Sequence, residues 1–169
     1  VRNVTKTLIL SIVVALFLAA CSDKPGTVQG RVVNVNDGDT ITVLDRSKKQ
    51  HKVRLAGIDA PEKKQPFGRQ SKESLSLLVF NRQVTIELGK TDRYGRTVSK
   101  VSINGVDANL EQIKAGMAWH YKKYQKDQSI EDRVEYARAE DEARAGKRGL
   151  WLDSEPVAPW DFRKASKGK

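Results

Sequence analysis

"TVQGRVVNVNDGDTITVL", Thr27 to Leu44, is two runs rich in Val, Ile and Thr on either side of an acidic turn. Apolar residues recur there at a period of two, which reads as strand, turn, strand. Asp-Gly is a hairpin-turn signal, and it accounts for Asp37 and Gly38. It leaves Asp39 unexplained. If the second strand begins at Asp39, alternation puts its carboxylate in the row of Ile41 and Val43, at the rim of the apolar face. A carboxylate in that position needs a cation, a hydrogen-bond donor or water.

Outward from this pair, "HKVRLAGI" (His51 to Ile58) reads as a third strand, and "QVTIEL" (Gln83 to Leu88) and "TVSKVSI" (Thr97 to Ile103) as two more. Three closely spaced strands joined by short polar turns suggest a meander curling toward a barrel. A helix is expected over Gly68 to Val79, with Leu75, Leu78 and Val79 on one side. A second follows from Val106, Leu110, Ile113 and Met117 at helical spacing, with Gly116 near its end. The third opens at Ser129, with Asp132 three residues on as a capping pair, and runs to about Gly146 or Gly149. The expected fold is therefore α+β, a five-stranded OB-like β-barrel with three α-helices, over residues 27–152.

A chain of 169 residues, 38% hydrophobic, supports one domain with a core. Lys and Arg number 31 against 21 Asp and Glu, a formal net charge of +10. Such an excess points to an anionic partner, either nucleic acid or a membrane surface. Residues 1–20 read as a signal peptide: Arg2 and Lys6 precede the apolar run Leu8 to Ala20, too short for the roughly 20 residues of a membrane span. "LAAC", Leu18 to Cys21, is similar to the bacterial lipoprotein signal, whose Cys becomes lipidated. Cys21 is then the membrane anchor, residues 21–26 a tether, and the destination the cell envelope, the outer membrane before the inner; a secreted or periplasmic form is the alternative. The basic excess stays with the rest of the chain. Cys21 is the only cysteine, so no disulfide is available and the domain relies on its core. The tail, residues 153–169, is basic and contains two prolines, and reads as an extended wrap or partly disordered.

The chemistry-bearing residues cluster in "VRLAGIDAPE", Val53 to Glu62, and "TDRYGRTV", Thr91 to Val98. Pro61 ends strand pairing and holds Ala60 extended. Singly, Asp59 and Glu62 could be turn or cap residues, and Arg54 and Arg96 strand-edge charges.

Together, "NDGDT", "VRLAGIDAPE" and "TDRYGR", in this order and at these intervals, resemble the thermonuclease (staphylococcal nuclease) family, and "EARAGKRGLW" resembles its final helix and closing Trp. The resemblance implies an OB-like barrel with three helices and a calcium-dependent phosphodiesterase that cleaves DNA and RNA, leaving 5′-hydroxyl and 3′-phosphate ends. It matches Asp39 and Asp59 to the carboxylates that bind one Ca²⁺, with the backbone carbonyl of Ala60 as a further ligand. The best-known member has Thr at that place; a main-chain oxygen does not need it. Arg54 and Arg96 match the guanidiniums that grip the scissile phosphate, and Glu62 the carboxylate proposed to activate water. Paired carboxylates repel until a hard cation joins them, and Arg forks suit phosphate oxygens. A carboxylate in reach of the water serves as general base or simply positions it.

Tyr94, beside Arg93, is the first candidate to stack on a nucleotide; Tyr121 and Tyr124, flanking Lys122 and Lys123, either do the same or pack on the surface. Lys63, Lys64 and Arg69 form either a mobile basic flap or a solvated loop. An EF-hand register from Asn34 puts Asp39 at the required glycine position and fails. His51 and His120 are far apart, which argues against a zinc site. The expected partners are DNA and RNA, with the chain acting as a monomer. A binding module that grips nucleic acid without cutting it, and a lipoprotein that docks its basic face on anionic lipid, are the rival readings.

Overall fold

The computed structural model describes residues 26–168. The expected signal segment and Cys21 lie outside the described residues. The first expected strand is β1 (Thr27–Val35), followed by β2 (Thr40–Asp45) and β3 (Gln50–Leu55). Each is antiparallel to the one before, as short polar turns require. Register slips between Val32 and Asn34, where β1 bulges against β2. A bulge bends the strand and increases its twist. The same strand can therefore also pair along its first half with β5 (Gln83–Glu87). Gly30, before the bulge, is paired on both sides, with Asp45 of β2 and Val84 of β5, and a Cβ there would meet the main-chain oxygen of Leu44 at 2.6 Å.

The fifth expected strand is present in two parts. β6 (Thr97–Ser99) lies parallel to β3, and β7 (Val101–Ile103) lies antiparallel to β5. Only Lys100 separates them, so one continuous stretch links β6, at one end of the sheet order, to β7, next to last at the other, and turns the meander into the expected OB-like barrel. Val32, Ile41, Val43, Val53, Ile86 and Val101 fill its interior, each wholly buried. A separate two-stranded patch, β4 (Ile58–Asp59) with β9 (Trp119–His120), sits beside one mouth.

The first expected helix forms as α1 (Gly68–Val79), and Leu75 and Val79 enter the barrel core from it. The second is shorter than its periodicity implies. Val106 belongs to the short strand β8 (Val106–Asp107), and α2 covers Ala108–Lys114. Asp107 sets that boundary by accepting from the N–H groups of Asn109 and Leu110, and Gly116, at φ +66°, turns the chain away. The third, α3 (Ile130–Ala145), is capped by the Ser129 side chain accepting from the Asp132 N–H, as its sequence predicts.

The tail differs from its expectation. It is neither an extended wrap nor disordered over residues 159–167: it forms a fourth helix, α4 (Pro159–Lys167). Pro159 stands in the first turn with Asp161, and Lys164 and Lys167 in the last, an order that favours helix at both ends. Trp160 stacks on Tyr121 with ring centroids 5.3 Å apart and planes 11° from parallel, which docks α4 beside β9.

Candidate active site

Asp39 is the hinge of the site. Its carbonyl accepts from the Leu55 N–H at 2.8 Å, fixing it to β3, and the next residue, Thr40, is the cross-strand partner of Arg54. Arg54 is in turn paired with Val98 of β6. Register alone thus brings Asp39, Arg54 and the stretch after Arg96 to the same mouth of the barrel. The Asp37 side chain accepts from the Asp39 N–H at 3.2 Å, so Asp37 makes the turn. Gly38 has no positive φ. Its requirement is space: a Cβ would overlap Ser71 Oγ and approach the Ala60 Cβ to 2.7 Å.

The expected acids meet on one guanidinium. Arg54 Nη1 lies 2.9 Å from Asp39 Oδ2, and Arg54 Nη2 lies 2.8 Å from Asp59 Oδ1. Arg54 also donates to the Leu55 and Ile58 carbonyls, which orients its plane. Asp59 is held by β4, where it pairs with Trp119. The Ala60 N–H donates to Asp39 Oδ2 at 2.7 Å. Both acids are buried, at 6% and 1% exposure. Burial pushes the Asp39 carboxyl up to about 7; Arg54 opposes the rise, and Asp37 and Asp59 add to it.

Arg96 reaches the same mouth from the turn before β6. Its Nε and Nη2 rest on Asp92 Oδ2, each at 2.7 Å, and Nη1 donates to Thr40 Oγ1 at 3.3 Å. Thr40 in turn donates to Asp39 Oδ1 at 3.1 Å, so Arg96 stands one hydroxyl away from the acid pair. Tyr94 is exposed over 66% of its surface, with the guanidiniums of Arg93 and Arg96 5.0 and 5.3 Å from its ring centre. It is placed to meet a ligand from solvent. Tyr121 instead spends one face on Trp160, and Tyr124, half exposed, meets Tyr121 edge-on at 5.2 Å.

The residue that sequence reasoning missed is Arg163 of α4. Its Nη1 lies 3.2 Å from Asp59 Oδ1 and 2.7 Å from Glu62 Oε1, and its Nη2 lies 2.7 Å from Asp59 Oδ2. Proline at the start of "PWDFRK" suits the first turn of a helix as well as the extended tail expected of it. Nothing local signalled where Arg163 would land.

Donor chemistry decides whether a cation suits this site. Among the described residues no group of three or more His, Cys, Asp or Glu is arranged to hold a metal ion. A cation here would therefore rest on two carboxylates and main-chain oxygen, with water completing its shell. That is an all-oxygen set suited to a hard cation such as calcium. Each carboxylate oxygen has about two acceptor positions. Asp39 Oδ1 uses one, for Thr40, and Asp59 Oδ2 one, for Arg163, so each has one left. The residues fit.

Residues 52–153 match the family model described as Staphylococcal nuclease homologue. A protein of Haemophilus influenzae named "Uncharacterized endonuclease" is 41% identical over 166 residues, 97% of this chain and 89% of its own length. One of the same name from Escherichia coli O157:H7 is 43% identical over 144 residues, 85% and 87% of the two chains. "Protein ParB" of Escherichia coli is 37% identical over 161 residues, 90% and 88% of the two. With more than half of the chain matched and relatives aligned over nearly their full length, the chain belongs to the staphylococcal nuclease homologue family.

Proposed function

We propose that the chain is a calcium-dependent endonuclease that hydrolyses phosphodiester bonds of DNA and RNA and leaves 5′-hydroxyl and 3′-phosphate ends. Two relatives carry the name endonuclease. The observation that carries the reading is that Asp39 and Asp59 share the Arg54 guanidinium at one mouth of the barrel.

Asp39, Asp59 and the Ala60 carbonyl would hold the calcium ion. Bound there, it would supply positive charge that polarises a phosphoryl oxygen and makes a neighbouring water more acidic. Arg96 is braced along its Nε edge by Asp92, which leaves N–H groups of its outer end for phosphate oxygens. Arg54 has its Nε and one further Nη2 hydrogen without a partner among the described residues, so it too has donors to offer. These fixed guanidiniums stabilise charge that grows on a five-coordinate phosphorus with little rearrangement. Glu62 commits Oε1 to Arg163, while Oε2 has no partner among the described residues and is the base that accepts the proton of the attacking water. Tyr94, with Arg93 and Arg96 around it, offers a stacking face to a base next to the cut.

The deciding experiment digests end-labelled DNA and RNA with the chain in calcium, in magnesium and in chelator. Cutting in calcium with 5′-hydroxyl products is expected; undiminished cutting in chelator refutes the proposal. Among the described residues no helix is long and apolar enough to cross a membrane. Anchoring in the bacterial cell envelope would instead come through lipid on Cys21, and incorporation of labelled palmitate that is lost in Cys21→Ala tests it.

A further inference from the structure

The matched nuclease domain stops at residue 153, yet the cluster of acids is not closed until Arg163. α4 is held in place independently of that arginine. Trp160 stacks on Tyr121 and meets Trp119 edge-on at 5.5 Å, Ala158 and Pro159 are buried, and Gln65 Nε2 donates to the Val157 carbonyl at 2.6 Å. Gln65 also accepts from the Glu62 N–H at 3.1 Å. The segment leading into α4 is thus tied to the main chain of Glu62 through Gln65, and α4 to its side chain through Arg163.

Glu62 needs such a tie. Its side chain is 40% exposed, and Arg163 is its only ion-pair partner among the described residues. A half-exposed glutamate without a partner samples several rotamers. A proton acceptor has to be held within a fraction of an ångström of a productive position.

We infer that Arg163 is a positioning residue of the phosphodiesterase site: its single guanidinium, two-pronged on Asp59 and one-pronged on Glu62, locks the proposed base to a proposed metal ligand, and makes α4 part of the catalytic unit. The inference rests on the nuclease reading above. Lysine cannot replace this fork, because a compact ammonium does not span three oxygens in one plane.

Arg163 keeps its place when the site is filled. Asp39, Asp59 and Glu62 bring three negative charges against the two of Arg54 and Arg163. A divalent cation together with one phosphodiester brings that set to neutrality with Arg163 still seated. The acceptor positions left on Asp39 Oδ1 and Asp59 Oδ2 mean that no contact of Arg163 has to break.

The test compares the whole chain with Arg163→Gln, Arg163→Lys, Arg163→Ala and, as a control on the same helix, Lys167→Gln. Single-stranded DNA cleavage in saturating calcium gives kcat and KM. Calorimetry without substrate gives the calcium affinity. Arg163→Gln is expected to lower kcat about 10- to 100-fold with KM little changed, the range for residues that orient a ligand or a base. Arg163→Lys recovers only a minor part, and millimolar guanidinium ion partly restores Arg163→Ala, which a merely structural role would not allow. Calcium affinity in Arg163→Gln stays the same or weakens. Lys167→Gln behaves as wild type. Unchanged kcat in Arg163→Gln, with the wild type active, overturns this inference alone. A rise in rate with tighter calcium binding also overturns it, and makes Arg163 a plug that the metal displaces. A wild type that cuts neither DNA nor RNA removes the nuclease reading and this inference with it.

Discussion

The main-chain N–H of Ala60 donates to Asp39 Oδ2 at 2.7 Å, across 21 residues of sequence. The residue after Asp59 is thereby pinned to the Asp39 carboxylate, so the spacing of the two acids is set by a main-chain donor gripping one of them and not by two free side chains. Asp39→Asn keeps an oxygen to accept that bond and an amide to face Thr40. Unfolding in urea at neutral pH should therefore show a loss of no more than about 1 kcal/mol, since a carboxyl whose pKa burial has raised contributes no stability as an anion. The charge that would bind calcium is gone, and cleavage in calcium should fall by at least about 100-fold. Parallel loss of fold and activity would contradict this separation.

Asp92 offers a sharper dissection of the phosphate grip. Its Oδ1 accepts from the main-chain N–H groups of Tyr94 and Arg96, at 2.8 and 3.0 Å, and Oδ2 alone carries the Arg96 guanidinium. Asp92→Asn with the amide nitrogen at the Oδ2 position retains the turn and removes the brace. We expect kcat to fall about 10-fold or more, against about 100- to 1,000-fold for Arg96→Ala, with the melting temperature nearly unchanged in Asp92→Asn. Steady-state kinetics on both variants, with calorimetric melting, checks this.

The strands and α1 were legible because each carries its own period: the expected bounds Thr27–Val35 and Gly68–Val79 are those observed. The acid and arginine pairs were legible for a related reason, since Thr40 and Arg54 are set opposite each other by a short hairpin register. Where alternation ran on uninterrupted, as from Thr97 to Ile103, nothing local marked Lys100 as the point where the chain leaves β3 for β5. α2 began later than its apolar spacing suggested because the Asp107 cap outweighs a favourable residue at Val106. For Tyr121, beside Lys122 and Lys123, the sequence leaves nucleotide stacking and surface packing both open, and the ring that stacks on it within the chain is Trp160, 39 positions on. Contacts of that separation, like Arg163 with Asp59, follow from the way α4 docks and leave no periodic trace.

Gly38 should be intolerant of even one methyl group. Ser71, whose Oγ the new Cβ would overlap, is wholly buried and donates to the Met117 carbonyl at 2.6 Å, so it has little room to yield. Gly38→Ala should cost about 1–3 kcal/mol, as overpacking of a filled core does. It should also lower cleavage, because Asp39 is the next residue. Urea unfolding and a cleavage assay on the same preparation test both, and wild-type stability would show that the turn can shift.

His120 predicts a pH dependence of stability. It is buried, with Nε2 against Gln128 Oε1 at 3.0 Å and Nδ1 without a partner among the described residues. Burial holds its pKa below the ordinary 6.5; Gln128 and Glu140 act to raise it, Lys122 lowers it further, and Tyr136 meets the ring edge-on. The unfolded chain therefore takes up the proton first as pH falls, and binds more protons than the folded chain over that range. Stability then rises with pH there, so the His120 contribution is lost as pH drops through about 6.5. Asp39, with its carboxyl raised to about 7, titrates nearby with the opposite sign, because there the folded chain holds the extra proton. The difference between wild type and His120→Gln cancels that common background. Urea unfolding of both chains from pH 8 to pH 5 should show the wild type losing stability relative to His120→Gln below about 6.5. A difference that stays flat across that range would mean that the folded interior accommodates imidazolium as readily as water does.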